Sequence, residues 1–361
     1  MFWGFLIYEL FVISLSGFLV WHFQVSGVLT YILGGLFFIC FNGLFILMKL
    51  THKSFLFSKE LTVLFSFLLA GVSYLVLTFI IHDFLLIIPS YGTLYFSYPY
   101  HFTMLFCVAI FITALYAVWN TQNIKIKKYT LTSSKKVSAR LAFLSDLHIA
   151  PNNMSVAKLH DIFDHLKHIN PDFVIFGGDI IEMRPDYFME RAVIQLFKDF
   201  KIYYPIIGVV GNHEYYGGVI DDNIKAMEKA GIIILKDNIR TIPEKNITFI
   251  GRDDKMNLHR LPLSRLIFQV PKHTYTVIID HDPSSIMDSV TQNADLQLSG
   301  HTHNGQLFPF NLLVKYMFLN AYGHHRINQT DTIVSSGVGT WGPSIRIGTQ
   351  NEIVVIDINP A

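Results

Sequence analysis

The pattern of hydrophobic and polar positions differs between two parts of this chain. Before residue 121, four long apolar runs cover residues 2–22, 27–48, 61–81 and 102–119. Each run has about the 20 residues that a helix needs to cross a bilayer. From Thr121 onward, short apolar segments that predict strands alternate with amphipathic segments that predict helices. The pattern therefore predicts an all-α transmembrane bundle over residues 1–120 and an α/β domain over residues 121–361.

Composition supports this division and excludes some classes of protein. The chain is 51% hydrophobic with a mean hydropathy of +0.39, which is too apolar for a purely soluble protein. The few charged residues before residue 121 are Glu9, Lys49, Lys53, Lys59, Glu60 and Asp83. The only two cysteines, Cys40 and Cys107, both lie in the apolar part, so neither a disulfide framework nor a cysteine-based zinc site is expected. A net charge of +1 gives no sign of nucleic-acid binding.

The lysines predict the orientation of the bundle. Lys49, Lys53 and Lys59 lie between the second and third runs, and Lys125, Lys127 and Lys128 follow the fourth. The connections His22–Gly27 and His82–His101 contain no lysine or arginine. Cytoplasmic loops carry the excess of positive charge, so both termini and the α/β domain are expected in the cytoplasm.

Five apolar segments of the α/β part end on side chains that bind metals. In chain order they end on Asp146 and His148, on Asp179, on Asn212 and His213, on His281, and on His301 and His303. Open α/β sheets place their sites at the carboxyl ends of the strands, so these side chains are expected to converge. Aspartate oxygens and histidine nitrogens suit Mn²⁺, Fe or Zn²⁺. Glycines before Asp179, Asn212 and His301 permit tight turns and close backbone approach.

These motifs resemble the calcineurin-like metallophosphoesterases. The signatures Ser145-Asp146-Leu147-His148, Gly177-Gly178-Asp179, Gly211-Asn212-His213-Glu214, His281 and Gly300-His301-Thr302-His303 occur in the family's order between residues 137 and 358. The extension Asn304-Gly305-Gln306, together with Ser336–Thr340, Arg346 and Glu352, is similar to the bacterial membrane-associated branch. The resemblance implies two packed mixed β-sheets flanked by helices. The four apolar runs, which have no part in this resemblance, predict an integral protein, and the bacterial branch indicates the inner membrane.

The resemblance further implies two adjacent divalent cations, with manganese expected and iron, zinc or magnesium as alternatives. Asp146, His148 and His303 would hold the first, and Asn212, His281 and His301 the second. Asp179 would bridge the two, which are about 3.5–4 Å apart in such sites. Bound water then has a pKa of about 7, so metal-bound hydroxide is available to attack phosphorus in line.

The same resemblance gives His213 a catalytic rather than a ligand role, facing the leaving oxygen. Glu182 is the predicted carboxylate that orients His213, because related serine/threonine phosphatases have an acid at this position. They usually have Asp there, followed by an arginine where this chain has Met183. The missing arginine argues against a phosphoprotein phosphatase, and Glu214 is the alternative orienting acid.

The predicted function is a membrane-anchored, dimetal-dependent phosphoesterase that hydrolyses a phosphodiester or pyrophosphate bond. Tethering keeps a site near the bilayer, which favours a lipid-linked substrate such as the UDP-diacylglucosamine-like pyrophosphate that some relatives cleave. A soluble nucleotide or cyclic nucleotide is the alternative substrate. A membrane receptor or scaffold with a regulatory phosphoesterase-like domain is the alternative of another class, opposed by the complete ligand set.

Helices are predicted over Val156–Ile169, Asp186–Phe200, Ile220–Ala230 and Pro283–Asn293, and late strands near residues 332–336 and 353–358. Residues 307–319 form an apolar segment directly after the last histidine motif. Two readings stay open for it: a core helix or strand pair, or an apolar cap that touches the bilayer or an acyl chain.

Overall fold

The structure is a computed structural model that describes residues 84–85, 87–90, 99–151, 153–342 and 344–361. The chain separates into two compact units between Leu115 and Tyr116. This division lies close to the predicted boundary at residues 120 and 121. The predicted spans over residues 2–22, 27–48 and 61–81, and Lys49, Lys53 and Lys59 used for orientation, lie outside the described residues.

Helix α1, Pro99–Asn120, includes the fourth predicted span at residues 102–119. Its exposed apolar side chains are Leu105, Val108, Phe111, Ile112, Leu115, Val118 and Trp119. Across the described part of the chain, no helix meets the combined length and hydropathy of a membrane span. The transmembrane bundle therefore stays a prediction.

The described part of the second unit contains twelve strands and seven further helices. The strands are β1 (Ile124–Ser133), β2 (Ala139–Leu144), β3 (Phe173–Gly177), β4 (Ile206–Val209), β5 (Ile233–Ile234), β6 (Asn238–Ile242), β7 (Ile247–Gly251), β8 (Tyr275–Ile279), β9 (Leu296–Ser299), β10 (Gly323–Ile327), β11 (Thr330–Val334) and β12 (Asn351–Pro360). The helices are α2 (Val156–Ile169), α3 (Arg191–Phe200), α4 (Asn212–Tyr216), α5 (Ile220–Ala230), α6 (Leu263–Ile267), α7 (Ile286–Thr291) and α8 (Phe310–Met317). Short 3-10 turns lie at Pro243–Lys245, Pro283–Ser285 and His303–Gly305.

The strands form two mixed sheets of six strands each. The first has the order β1-β12-β2-β3-β4-β5 and the second the order β10-β11-β9-β8-β7-β6. In the first sheet only β12 and β2 run antiparallel, in register from Val354 opposite Phe143 to Ile358 opposite Ala139. In the second sheet the two edge strands, β10 and β6, run antiparallel to their neighbours. The central strands of both sheets are parallel, so their carboxyl ends lie at one edge of each sheet.

The core lies between the sheets, because alternate residues of each strand face opposite sides. Phe143, Ile175 and Val209 of the first sheet join Phe249 and Val277 of the second in one buried cluster. On its other face the first sheet packs against helices, with Leu144, Phe176, Leu159, Phe163 and Phe197 in a second cluster. Helices cover the second sheet through Ile250, Ile278, Leu263 and Leu266. The predicted α/β fold with two mixed sheets flanked by helices is confirmed.

Local sequence signals account for both ends of α2. The side chain of Ser155 accepts a hydrogen bond from the Lys158 amide and caps the start of α2. Asn170 ends the helix in the left-handed conformation that asparagine tolerates. Leu159, Ile162, Phe163 and Leu166 form its buried face, as the spacing predicts. Helices α2 and α5 have the predicted bounds.

Two predicted helices are shorter than expected, and one interpretation of the segment 307–319 is wrong. Helix α3 begins at Arg191 rather than Asp186, because Glu190 has an extended ψ of 139°. The stretch predicted from Pro283 begins as a 3-10 turn and becomes α-helical only at Ile286. Helix α8, in the segment 307–319, has no buried residue, so this segment is not a core element.

Candidate metal centre

The predicted metal-binding side chains lie on the loops that follow five strands. Asp146 and His148 follow β2, Asp179 follows β3, Asn212 and His213 begin α4 after β4, His281 follows β8, and His301 and His303 follow β9. The parallel strands deliver these loops to one edge of the two-sheet core. All eight side chains are therefore near one another, as the strand ends predict.

Asp146, His148 and His303 form one candidate ligand group, and each side chain is buried. Nε2 of His148 lies 3.1 Å from Nε2 of His303. The same His303 nitrogen lies 3.5 Å from Oδ1 of Asp146. One carboxylate and two imidazoles thus point at a common position.

Asp179, His281 and His301 form a second candidate ligand group. The amide oxygen of Asn212 joins it, 2.9 Å from Nδ1 of His301 and 3.2 Å from Nε2 of His281. This neutral oxygen adds a ligand without adding negative charge.

Asp179 lies between the two groups. Its Oδ2 atom is 3.1 Å from Nε2 of His281 and 4.0 Å from Nε2 of His148. Its other oxygen, Oδ1, accepts a hydrogen bond of 2.8 Å from the His213 amide. The structure therefore has a carboxylate where a bridge between two cations would lie.

The Nδ1 atoms of His148 and His281 have hydrogen-bond partners that leave their Nε2 atoms suited to a divalent cation. Nδ1 of His148 lies 2.7 Å from Oε2 of Glu182, and Nδ1 of His281 donates to the Gly177 carbonyl at 2.8 Å. With protons on those nitrogens, both Nε2 atoms present lone pairs to the same space as the carboxylate oxygens. Convergent electron pairs from nitrogen and oxygen are the donor set of Mn²⁺, Fe or Zn²⁺.

Backbone geometry at the site is unusual for residues with side chains. Asp146, His148, Asp179, His301 and His303 all have φ between 47° and 68°. This left-handed region is uncommon for residues other than glycine and clusters at functional sites. At Gly211, a Cβ atom would lie 2.3 Å from Oδ1 of Asp179, so that position requires glycine.

The opposing charges shift the protonation of the candidate ligands. Burial alone would raise the pKa of Asp146 and Asp179, but the imidazoles beside them lower both below the ordinary value. Burial opposes the charged form of His281, but the charge of Asp179 raises the pKa of that ring. Burial lowers the pKa of His303 to about 3 and, with the neighbouring His281, lowers that of His301.

His213 lies beside the ligand groups and is held by Glu182. Its Nδ1 is 2.9 Å from Oε1 of Glu182, whose other oxygen contacts His148. Glu214 instead accepts backbone amides of Asp179, Ile181 and Gly211 at 2.7–3.1 Å. The structure thus places Glu182, and not Glu214, against the His213 ring. Ligand atoms of His213, His148 and Asp179 also lie close enough to share a cation.

Two aromatic side chains at the site were missed by the sequence reasoning. The Tyr216 ring lies 4.9 Å from the His213 ring and is 52% exposed. The Phe318 ring lies 6.3 Å from the His301 ring. The three-residue spacing of His213 and Tyr216 in helix α4 puts them on one helix face, and this signal was available. No local pattern indicates the position of Phe318.

Comparison with known proteins agrees with this geometry. Residues 139–305 match the family model of the calcineurin-like phosphoesterases. The chain carries a calcineurin-like phosphoesterase domain. The predicted family is therefore confirmed for this domain, and such a domain implies a phosphoester hydrolase. Members of this family typically bind two divalent metals.

Three relatives of this phosphoesterase domain illustrate its distribution. An uncharacterised metallophosphoesterase of Campylobacter jejuni is 26% identical over 71% of this chain and 70% of its own length. One from Bacillus subtilis is 28% identical over 70% of this chain and 98% of its own length. A Danio rerio protein, described as a transmembrane protein with a metallophosphoesterase domain, is 27% identical over 70% of this chain and 62% of its own length.

Replacing Asp179 with asparagine tests the bridging position. We expect Asp179→Asn to bind fewer divalent cations and to lose hydrolysis, because the bridge loses its negative charge. The fold should persist, since the asparagine oxygen still accepts the His213 amide. Metal content and circular dichroism of the purified variant check both expectations. Full metal-dependent turnover would contradict the bridging role.

Replacing His213 with alanine separates a catalytic from a ligand role. As a proton donor, His213 should contribute about 10²–10⁴-fold to kcat. His213→Ala is therefore expected to lose that factor and keep both cations, as measured by steady-state kinetics and metal analysis. Loss of a cation would instead make His213 a ligand.

The contact between Glu182 and His213 predicts a change in pH dependence. Burial alone would lower the pKa of His213, but the hydrogen bond to Glu182 and the charge of Asp179 outweigh it, so the pKa is raised. Glu182→Gln removes the negative charge of Glu182, which lowers the pKa of His213. His213 should therefore lose its proton at lower pH. The alkaline limb of kcat/KM, measured at saturating metal, should move to lower pH. An unmoved limb would show that His213 is not the titrating donor.

Proposed function

We propose that the chain is a membrane-anchored phosphoesterase that uses two divalent cations, Mn²⁺ in the first instance, to hydrolyse a phosphodiester or pyrophosphate of a lipid-linked substrate. The carrying observation is Asp179, whose Oδ2 atom lies between the Nε2 atoms of His148 and His281. When bound, two cations supply Lewis acidity and an activated water.

The residues of the chain have separate tasks in this proposal. Asp146, His148 and His303 hold one cation, and Asn212, His281 and His301 hold the other. His213 donates a proton to the leaving oxygen. Burial opposes the charge on its ring, but the hydrogen bond to Glu182 outweighs burial and raises the pKa of His213. Glu182 orients the His213 ring through the 2.9 Å contact at Nδ1.

The preference for a lipid-linked substrate is supported by the surface beside the site. Helix α8 has no buried residue, and its exposed apolar side chains include Phe310, Leu313, Tyr316 and Met317. Phe318, directly after α8, contacts the His301 ring. Exposed apolar patches of this kind mark binding sites for lipids or proteins. In this proposal α8 receives acyl chains while the phosphate lies over the cations.

Membrane anchoring is supported by two further observations. Helix α1 has no acidic residue in its first turn and no basic residue in its last, and several of its apolar side chains are exposed. The Danio rerio relative is itself described as a transmembrane protein with a metallophosphoesterase domain. We propose that the phosphoesterase domain faces the cytoplasm, on the side indicated by the lysines between the apolar runs.

A comparison of substrates by the full chain tests this function. With Mn²⁺, the chain is expected to hydrolyse a generic aryl phosphodiester slowly and a UDP-diacylglucosamine-like pyrophosphate faster. The same pyrophosphate without acyl chains should have a lower kcat/KM, measured by release of the nucleoside monophosphate. Equal or better turnover of the acyl-free compound or of a cyclic nucleotide would favour a soluble substrate. No turnover of any compound would favour a scaffold.

A charge on α8 tests the acyl-chain surface directly. Tyr316 is 92% exposed, so Tyr316→Glu should fold normally and lower kcat/KM for the acylated substrate by about tenfold or more. Turnover of the aryl diester should not change. Phe268, which is 91% exposed on the turn after α6, provides the matched control Phe268→Glu. Equal effects of the two substitutions would remove the role of α8.

A further inference from the structure

Arg346 is a fully buried cation that the chemistry described so far does not use. Its side chain has 0% exposure and is, by volume, the largest fully buried side chain of the described residues. A guanidinium carries five N–H donors and keeps its charge, so burial requires partners for those donors. The identity of these partners indicates what the residue does.

The guanidinium of Arg346 holds the loop that follows β11. Nη2 donates to the Ser336 carbonyl at 2.6 Å and to the Gly339 carbonyl at 2.7 Å. It also reaches the Gly337 carbonyl at 3.4 Å. The Gly337 carbonyl also accepts the Glu352 amide at 3.0 Å. Loss of Arg346 would take this donor from the carbonyls of the buried residues Ser336 and Gly339, so the loop 336–339 depends on Arg346 for its conformation.

The loop 336–339 lies directly behind Asp146. The amide of Val338 donates to the Ser145 carbonyl and the amide of Gly339 to the Asp146 carbonyl, both at 3.0 Å. A Cβ atom on Gly337 would lie 2.8 Å from Cβ of Asp146. The loop therefore fixes the position of Asp146 through its main chain and through close packing at Gly337.

The same guanidinium contacts His303. Nη1 donates to the His303 carbonyl at 3.4 Å and to Oγ1 of Thr349 at 3.3 Å, while Nη2 lies 3.3 Å from Nδ1 of the His303 ring. Thr349 in turn donates to the carbonyl of Gln306, three residues after His303. Arg346 thus joins the loop behind Asp146 to the loop that carries His303.

The last turn of α1 fixes the main chain of Arg346. The amide of Arg346 donates to the Ala117 carbonyl at 3.1 Å. The side-chain amide of Asn120 donates to the Arg346 carbonyl at 3.1 Å and to the Thr349 carbonyl at 2.7 Å. Asn120 is buried, so these bonds are shielded from water.

We propose that Arg346 is a positioning residue that holds Asp146 and His303 at ligand spacing, and that the last turn of α1 sets the main chain from which it reaches them. It touches neither substrate nor cation in this proposal. The inference rests on the dimetal site proposed above. Its specific content is that the first cation, held by Asp146, His148 and His303, depends on Arg346 more than the second does.

The test is metal binding by the full chain, purified in detergent, with Mn²⁺ as the probe. Arg346→Met should weaken one of two Mn²⁺ sites by about 10–100-fold, the usual effect of removing a partner that supports a ligand. At two equivalents of Mn²⁺ the electron paramagnetic resonance spectrum should change from a coupled pair to a single ion. Excess Mn²⁺ should restore kcat. Arg346→Lys, which keeps a charged donor, should be intermediate.

Arg252 provides a matched control, because it is also a buried arginine that donates to a backbone carbonyl, that of Leu261. Arg252→Met should leave both Mn²⁺ affinities unchanged. If Arg346→Met does not fold, Asn120→Ala is the second variant. It removes two hydrogen bonds to the same segment and should weaken the same site by a smaller factor.

Several outcomes would overturn the proposal. Wild-type affinity at both sites in Arg346→Met, or in Asn120→Ala where that variant is used, would show that the ligands do not need this support. Equal weakening of both sites, shared by Arg252→Met, would indicate general destabilisation. A wild-type chain that binds no Mn²⁺ would refute the dimetal site itself, and the inference with it.

Discussion

A buried carboxylate at the junction of two sheets is the constraint on which this site depends. Asp179 lies at the end of β3 in the first sheet, while its closest imidazole partner, His281, follows β8 in the second. A lone ionised carboxylate with 2% exposure would be strongly unfavourable. Burial alone would raise its pKa, but the imidazoles around it lower the pKa below the ordinary value. Its Oδ1 also accepts the His213 amide. The relative placement of the sheets therefore determines whether the charge is tolerated.

The two-sheet core supplies this placement. Strands β2, β3 and β4 bring Asp146, Asp179 and Asn212 to one edge, and β8 and β9 bring His281 and the paired histidines 301 and 303. Apolar residues such as Phe143 and Val277 fill the space between the sheets and set their separation. Because protein cores are close-packed, the ligand spacing is determined by packing well away from the ligands.

Much of the fold and of the ligand set could be predicted from the sequence. Apolar runs that stop on Asp146, Asp179 or His281 identify both a strand and its functional end. The left-handed backbone at Asp146 and His148 could not be predicted, because neither residue type requires it. The position of Glu182 against His213 came from a family resemblance, whereas its second contact, to His148, needed the structure.

Other features depend on contacts that are distant in sequence. Arg346 meets Ser336 and Gly339 within one loop, but its link to His303 spans 43 residues and no spacing rule indicates it. The exposure of α8 could not be predicted from the sequence either, since the hydropathy of Phe310 and Leu313 is typical of core residues. In both cases the decisive property is the environment of the side chain, which the residue type does not specify.

Glu182 has a consequence for how this centre can change during evolution. One carboxylate serves two rings, with His148 at 2.7 Å on one oxygen and His213 at 2.9 Å on the other. A substitution that suits one ring disturbs the other, so the effects of changes at these three positions are expected to be strongly epistatic. Under the proposed function, ligand strength and proton donation therefore cannot be optimised independently.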